Sequence, residues 1–320
     1  MINRRLKLLL FILIHFALLL SSCQWNPSQM SYNDDGKNWM SKLSDTRQLT
    51  TLSIPGTHDT CALYDYLIGG ASANQDVSLY EQLNQGVRFL DIRVTKRDGV
   101  LGIYHGIKYM YIDLEDVILI TERFLKENPT EFVLMMIKEE VFRSSGSGKN
   151  ITDDIFTLTN SDRYKYLFAS WNDTETSPTV GDLRGKILII KNFIDSNLGV
   201  IPSLNIWRNN IHWVREGDSA YVPQGDIQSV EDKWNQVRNY ILKRSNLSDD
   251  GRLYMHSVAS YYEEIFGLPN IDRVAKYVNP RLLSYLTSNK ASLKNKPLGI
   301  LMCDKIYPSL SEAIYSLNFD

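Results

Sequence analysis

The stretch TLSIPGTHDT, Thr51 to Thr60, runs from β-branched residues through Pro55-Gly56 to a histidine and an aspartate. Its first half suits a strand, and Pro-Gly is a strong turn signal, so the spacing predicts a strand over Leu52–Ile54 that hands the chain to His58 and Asp59. If that strand belongs to a parallel set, its C-terminal end is where reactive groups collect, because the loops of that face carry the variable chemistry.

The rest of the chain supports a parallel set. Short runs rich in Val, Ile, Leu and Phe predict further strands over Val87–Val94, Val100–His105, Glu131–Lys138, Lys186–Lys191, Leu253–Val258 and Leu298–Asp304. Helix patterns lie between them, at Leu79–Asn84, in DLEDVILITERFLKENP (Asp113–Pro129), at Val230–Lys243 and in NPRLLSYLTSN from Asn279. Alternating strands and helices in a chain of this size argue for an α/β fold with a parallel sheet, and barrels account for many such folds. Seven strands are readable; an eighth is expected within Ile206–Gln228, an aromatic and polar stretch that also reads as a long loop over the site.

Six of the seven strand ends deliver an ionisable residue: His58 with Asp59, Asp91 with Arg93, His105, Lys138, Lys191 and Asp304. In RFLDIRV, Asp91 and Arg93 share one face because strand side chains alternate. Taken alone, that pair reads as a buried ion pair, and a lone histidine at a strand end as structural. Gathered at one end of one sheet they suit phosphodiester cleavage instead. One imidazole takes a proton from an attacking hydroxyl, the other protonates the leaving oxygen, and a guanidinium steadies the phosphoryl charge.

The N-terminus, MINRRLKLLLFILIHFALLLSSC, has a basic start, an apolar run over Leu8–Leu20 and small residues before Cys23. This reads as a secretory signal over residues 1–22, too short to span a bilayer. Leu20-Ser21-Ser22-Cys23 resembles the bacterial lipobox, which implies cleavage before Cys23 and lipidation of its thiol. Residues 23–36 read as a polar tether, and 37–320 as one catalytic domain. The expectation is an exported lipoprotein held at the cell envelope by its anchor, and a monomer. The full chain carries 35 basic and 37 acidic side chains; loss of Arg4, Arg5 and Lys7 with the signal leaves a net charge of about −5. That balance argues against a nucleic-acid partner and against a polybasic membrane binder. Cys61 and Cys303 have no metal-ligand spacing, and two buried free thiols are the commoner outcome for such a pair.

The motifs SIPGTHD (Ser53–Asp59), YEQLNQGVRFLDIRV (Tyr80–Val94), YHG (Tyr104–Gly106), FLKENPTEFVLMMIKEE (Phe124–Glu140), RGKILIIKNF (Arg184–Phe193), VEDKW (Val230–Trp234) and LGILMCD (Leu298–Asp304) occur in that order. In this ordered set the chain resembles the bacterial phosphatidylinositol-specific phospholipases C. The resemblance implies a single distorted TIM (β/α)8-type barrel with its site at the C-terminal mouth. It implies cleavage of phosphatidylinositol to diacylglycerol and inositol 1,2-cyclic phosphate, at a membrane surface. By motif, His58 is the general base oriented by Asp304, and His105 the general acid coupled to Asp59. Arg93, helped by Asp91, stabilises the phosphate. Related enzymes hold calcium where Arg93 stands, so the resemblance implies no metal cofactor. Lys138, Asp232, Trp234 and Gly106 match substrate-binding positions.

Two positions depart from the family pattern. Trp234 replaces a ring-stacking tyrosine, and Asn192 falls where a second basic residue contacts the inositol, a contact that Lys191 or Arg208 would have to supply. Two alternatives stay open on that account: a related phosphodiesterase acting on another glycerophosphodiester or glycosyl-inositol lipid, and a non-catalytic lipoprotein that binds inositol phosphates or glycans.

Overall fold

The structure is a computed structural model that describes residues 36–65, 73–140, 151–169, 171, 176–192, 230–263 and 269–319. Its strands are β1 (Ser53–Thr57), β2 (Phe89–Arg97), β3 (Val100–His105), β4 (Lys108–Asp113), β5 (Val133–Glu139), β6 (Phe168–Ala169), β7 (Ile187–Asn192), β8 (Met255–Ser257), β9 (Tyr262–Glu263), β10 (Pro269–Asn270) and β11 (Gly299–Cys303). The helices are α1 (Leu79–Asn84), α2 (Leu114–Glu127), α3 (Ile151–Thr159), α4 (Val180–Leu183), α5 (Val230–Ser245), α6 (Ile271–Ser288), α7 (Lys290–Leu293) and α8 (Pro308–Tyr315). None of the described helices is long and apolar enough to cross a membrane.

Seven strands pair in parallel in the order β6-β7-β5-β2-β1-β11-β8, with β1 near the centre. This is the α/β wall of a distorted TIM-type barrel. Side-chain parity divides its two faces. Phe89, Leu134, Met136, Leu188, Met255, Ile300 and Met302 pack in one cluster with Ile54, while Leu90, Ile92, Met135, Ile137, Ile189 and Leu301 pack in another with the helices. Strands buried on both faces read as continuous apolar runs for this reason.

Three expectations are corrected. Pro55 and Gly56 lie inside β1 and not in a turn after it. Pro55 tolerates this place, although it pairs in register with Leu301 of β11, because its carbonyl faces the β2 side and the ladder there begins only at Gly56–Phe89, so its missing N–H breaks no ladder bond. Gly56 is needed where it stands, since a Cβ there would come within 2.9 Å of the Phe89 ring. Second, Val100–His105 is not one of the parallel strands. β2 continues to Arg97, turns at Asp98-Gly99, both at positive φ, and returns as the antiparallel β3, which pairs in turn with β4. Third, α6 starts at Ile271 and carries Pro280 in its interior, where the sequence pattern from Asn279 suggested a start.

The N-terminal end of the wall is closed by a buried ion pair. Arg88 and Glu131 are both fully buried, 2.7 Å apart. Arg88 also donates to the carbonyls of Leu83, Val87, Gly36 and Lys37, and Glu131 accepts from Met40 N–H. Nearly all its donors being satisfied, this charge is tolerable in a dry place.

Candidate active site

The inward-facing parity of each strand changes from apolar to charged toward its C-terminal end. Phe89 is followed by Asp91 and Arg93, Leu134 and Met136 by Lys138, and Ile300 and Met302 by Asp304. On β1 the same parity leads from Ile54 through Gly56 to His58. The lower half of the interior therefore packs, and the upper half presents ionisable groups at the mouth.

His58 and Asp304 come from adjacent strand ends, tied by His58 N–H donating to Cys303 O at 2.9 Å. His58 Nδ1 lies 2.8 Å from Asp304 Oδ1, and Nε2 lies 2.7 Å from Arg93 Nη2. An Nδ1–H donated to the carboxylate leaves the Nε2 lone pair facing the guanidinium. Burial pushes the His58 pKa down, but the charge and hydrogen bond of Asp304, with Asp91 beyond, outweigh it and leave it raised above 6.5.

Asp59 follows His58 out of parity and would point away, but its φ of 45° turns it back to the mouth. Aspartate tolerates this left-handed conformation. The turn is fixed by β2: Asp59 N–H donates to Asp91 Oδ2 at 3.1 Å, Thr60 N–H to Asp91 O, and Asp91 N–H to Thr60 Oγ1 at 2.8 Å. Asp59 Oδ2 then lies 3.1 Å from Arg93 Nη1 and 3.5 Å from His105 Nε2. Burial raises the Asp59 pKa against the pull of Arg93 and His105. For Asp91 burial is outweighed by Arg93 and His58, and its carboxyl is held low. The guanidinium of Arg93, 3.3 Å from Asp91 Oδ2, is held well above its usual range by these carboxylates despite its burial.

All six residues expected to carry the chemistry, His58, Asp59, Asp91, Arg93, His105 and Asp304, thus form one connected group. Of the expected substrate contacts, Lys138 lies across from Arg93 in the β2–β5 register, with its pKa lowered by burial and by Arg93. Gly106 follows His105, and its N–H donates to Glu140 Oε1 at 3.1 Å. Of Lys191 only the backbone on β7, opposite Ile137, is described. Arg208 and Cys23 lie outside the described residues. Asp232 is exposed in the first turn of α5. Trp234 is buried and packs edge-on to Tyr285 of α6, ring centroids 5.9 Å apart, so it belongs to the core between two helices and is not a platform for a sugar ring. Cys61 and Cys303 are buried and unpaired, and burial pushes both thiols up and out of reactive range.

Sequence reasoning missed four residues of this region. Glu140 shares strand parity with Lys138 and could have been found by it; its Oε2 lies 3.7 Å from Arg93 Nη1 and 3.9 Å from Lys138 Nζ. Asn74 and Gln75 lie in an irregular segment with no periodic signal. Lys233 is fully buried, with Nζ donating to Ser257 O beside the end of β11. Among the described residues no cluster of three or more His, Cys, Asp or Glu is arranged to hold a metal ion. Three carboxylates of the site, Asp59, Asp91 and Glu140, are directed at one fixed cation, Arg93.

Comparison with known proteins places the chain in a family. The profile of the family described as phosphatidylinositol-specific phospholipase C, X domain, matches residues 47–193, which hold every site residue up to Glu140. The 1-phosphatidylinositol phosphodiesterase of Listeria monocytogenes is 38% identical, over 95% of this chain and 93% of its own. That of Staphylococcus aureus strain Newman is 27% identical, over 81% and 86%. Among solved structures, the phosphatidylinositol-specific phospholipase C from Listeria monocytogenes superposes with a TM-score of 0.71 at 28% identity, covering 89% of this chain and 99% of its own. A Staphylococcus aureus phosphatidylinositol-specific phospholipase C structure shares the fold, with a TM-score of 0.70 at 24% identity over 90% and 99%. With such identity across nearly the full length of both chains and the same barrel beneath it, this chain belongs to the phosphatidylinositol-specific phospholipase C family.

Proposed function

We propose that the protein cleaves phosphatidylinositol to diacylglycerol and inositol 1,2-cyclic phosphate. The observation that carries this reading is the placement of two imidazoles around one guanidinium: His58 Nε2 is 2.7 Å from Arg93, whose other terminal nitrogen is 3.1 Å from the Asp59 carboxylate that faces His105. His58 Nε2 takes the proton of the inositol 2-hydroxyl as its oxygen bonds to phosphorus. Asp304 steadies the imidazolium that forms. The bond from phosphorus to the diacylglycerol oxygen breaks, and that oxygen takes a proton from His105. Arg93, in contact with His58 and linked to His105 through Asp59, would supply positive charge to the phosphoryl oxygens without a metal. In a second step water opens the cyclic ester with the histidines in exchanged roles, as microscopic reversibility allows.

Lys138, beside Arg93, would hold inositol hydroxyls. Since Trp234 is in the core, the stacking contact seen by motif has no counterpart at that residue, which favours testing glycosyl-inositol lipids and glycerophosphoinositol beside phosphatidylinositol. Residues 1–22 would be removed on export and Cys23 lipidated, leaving residues 23–36 as tether and 37–320 as a monomeric catalytic barrel anchored at the cell envelope. A Cys23→Ser chain should then leave the membrane fraction.

The role assignment is tested by His58→Ala and His105→Ala. Each should lose turnover of phosphatidylinositol by on the order of 10²-fold or more while retaining the far-ultraviolet circular dichroism of the wild type. Turnover within a few-fold of wild type in either variant would remove that residue from the mechanism.

A further inference from the structure

Two uncharged residues close the gap between the strand ends that carry His58 and Asp304. Gln75 Nε2 donates to the carbonyls of both His58, at 2.8 Å, and Cys303, at 3.0 Å. Asn74 C=O accepts from Lys305 N–H at 2.8 Å, and the N–H groups of Asn74 and Gln75 both reach Ala62 O. The pair is thus a clasp laid across β1 and β11 just above their last residues.

The Asn74 side chain is 1% exposed and points at the His58–Asp304 contact. Its Nδ2 donates to Asp304 Oδ1 at 2.8 Å, the same oxygen that takes His58 Nδ1, and lies 3.0 Å from that nitrogen. Asn74 Oδ1 has no hydrogen-bond partner among the described residues. The carboxylate therefore holds this amide, and one carboxylate oxygen has lone pairs enough for both donors. Two physical effects act in the same direction. A second donor shares the negative charge that Asp304 would otherwise direct at His58, and the positive end of the amide lies beside Nδ1.

We propose that Asn74 is a positioning residue that acts through Asp304: it fixes the carboxylate so that His58 presents Nε2 as the base, and it restrains the basicity of that imidazole. The proposal rests on His58 being the general base. The charged groups facing His58 are Asp304 after β11, Asp91 and Arg93 on β2, and the neighbouring Asp59 on the turn after β1. Lys138 acts on Asp91 and Lys233 on Asp304 from behind.

Asn74→Leu keeps the shape and removes both polar atoms. On phosphatidylinositol in detergent micelles, kcat should fall on the order of tenfold with KM changed less than about twofold, the loss of a charge-assisted hydrogen bond. The acid limb of kcat/KM should move to higher pH, and in an Asp304→Asn background the same substitution should have little further effect. NMR titration of the His58 ring should show the same upward shift with no substrate present. If Asn74→Leu folds poorly, Asn74→Ser, whose hydroxyl is too short to reach Asp304, replaces it. An unchanged His58 titration and acid limb, or a fully additive loss in the Asp304→Asn background, would overturn the proposal. Should the wild type leave phosphatidylinositol intact, the proposed function fails, while the NMR titration still decides the role of Asn74.

Discussion

Arg93 Nη2 stands 2.7 Å from His58 Nε2, so the guanidinium that would bind the phosphate also caps the lone pair of the base. One planar group touches His58, Asp91 and Asp59 at once. A lysine is a point charge on a flexible stem and cannot span the same three partners. Arg93→Lys should lose on the order of 10²-fold or more in kcat although the charge is conserved. Steady-state kinetics on phosphatidylinositol measure this, and a loss confined to KM would mean that Arg93 serves only ground-state binding.

The Asp304 contact fixes how activity depends on pH. The base must be neutral, and its folded-state pKa is raised above 6.5, so kcat/KM should fall as pH drops through that raised value. Asp304→Asn removes the main group raising it and leaves the opposing burial. The acid limb should therefore move to lower pH while kcat falls. A profile whose acid limb stays in place would show that another group sets it.

Removing one partner of the buried Arg88–Glu131 pair leaves the other charge in a dry site. Arg88→Met should cost about 3–5 kcal/mol of stability, read from urea unfolding. The pair lies at the opposite end of the barrel from His58, so the folded fraction should keep a near-normal kcat. A destabilisation below about 1 kcal/mol would mean that water reaches Glu131 freely.

Lys233 makes stability itself pH-dependent. Burial lowers its pKa to about 7 from the ordinary 10.5. Below pH 7 folded and unfolded chains both hold the proton, and the folded chain bears the full cost of the buried charge. Between about 7 and 10 the unfolded chain holds a proton that the folded chain has released, so stability should rise with pH, by up to about 1.4 kcal/mol per unit, relative to Lys233→Met. Parallel stability curves for the two proteins would contradict this.

What could be read from the sequence depended on whether a residue sat in a regular strand. The ends of β1, β2, β5 and β11 follow from apolar runs that stop at charged residues, and the parity of Asp91 with Arg93 follows from the strand repeat. His105 was found for a partly wrong reason. The apolar run ending at His105 predicts a parallel strand end, yet His105 reaches the mouth on an antiparallel return whose signal is Asp98-Gly99. Pro55-Gly56 misleads in the other direction, because Pro55 sits before the ladder to β2 begins, although β11 already pairs with β1 there. Asn74 and Lys233 carry no local signal, since their roles come from contacts across 16 or more residues of chain. Trp234 was assigned by motif, and the burial of its ring in the α5–α6 contact decided otherwise.

Cleavage by internal attack at His58, His105 and Arg93, with no metal, predicts a cyclic phosphate as the first product. The most direct test is phosphorus NMR of phosphatidylinositol micelles incubated with the full chain in EDTA. A five-membered cyclic phosphate signal that appears before any inositol phosphate monoester is the result expected. A monoester as the first product, or turnover abolished by EDTA and restored by calcium, would contradict the account.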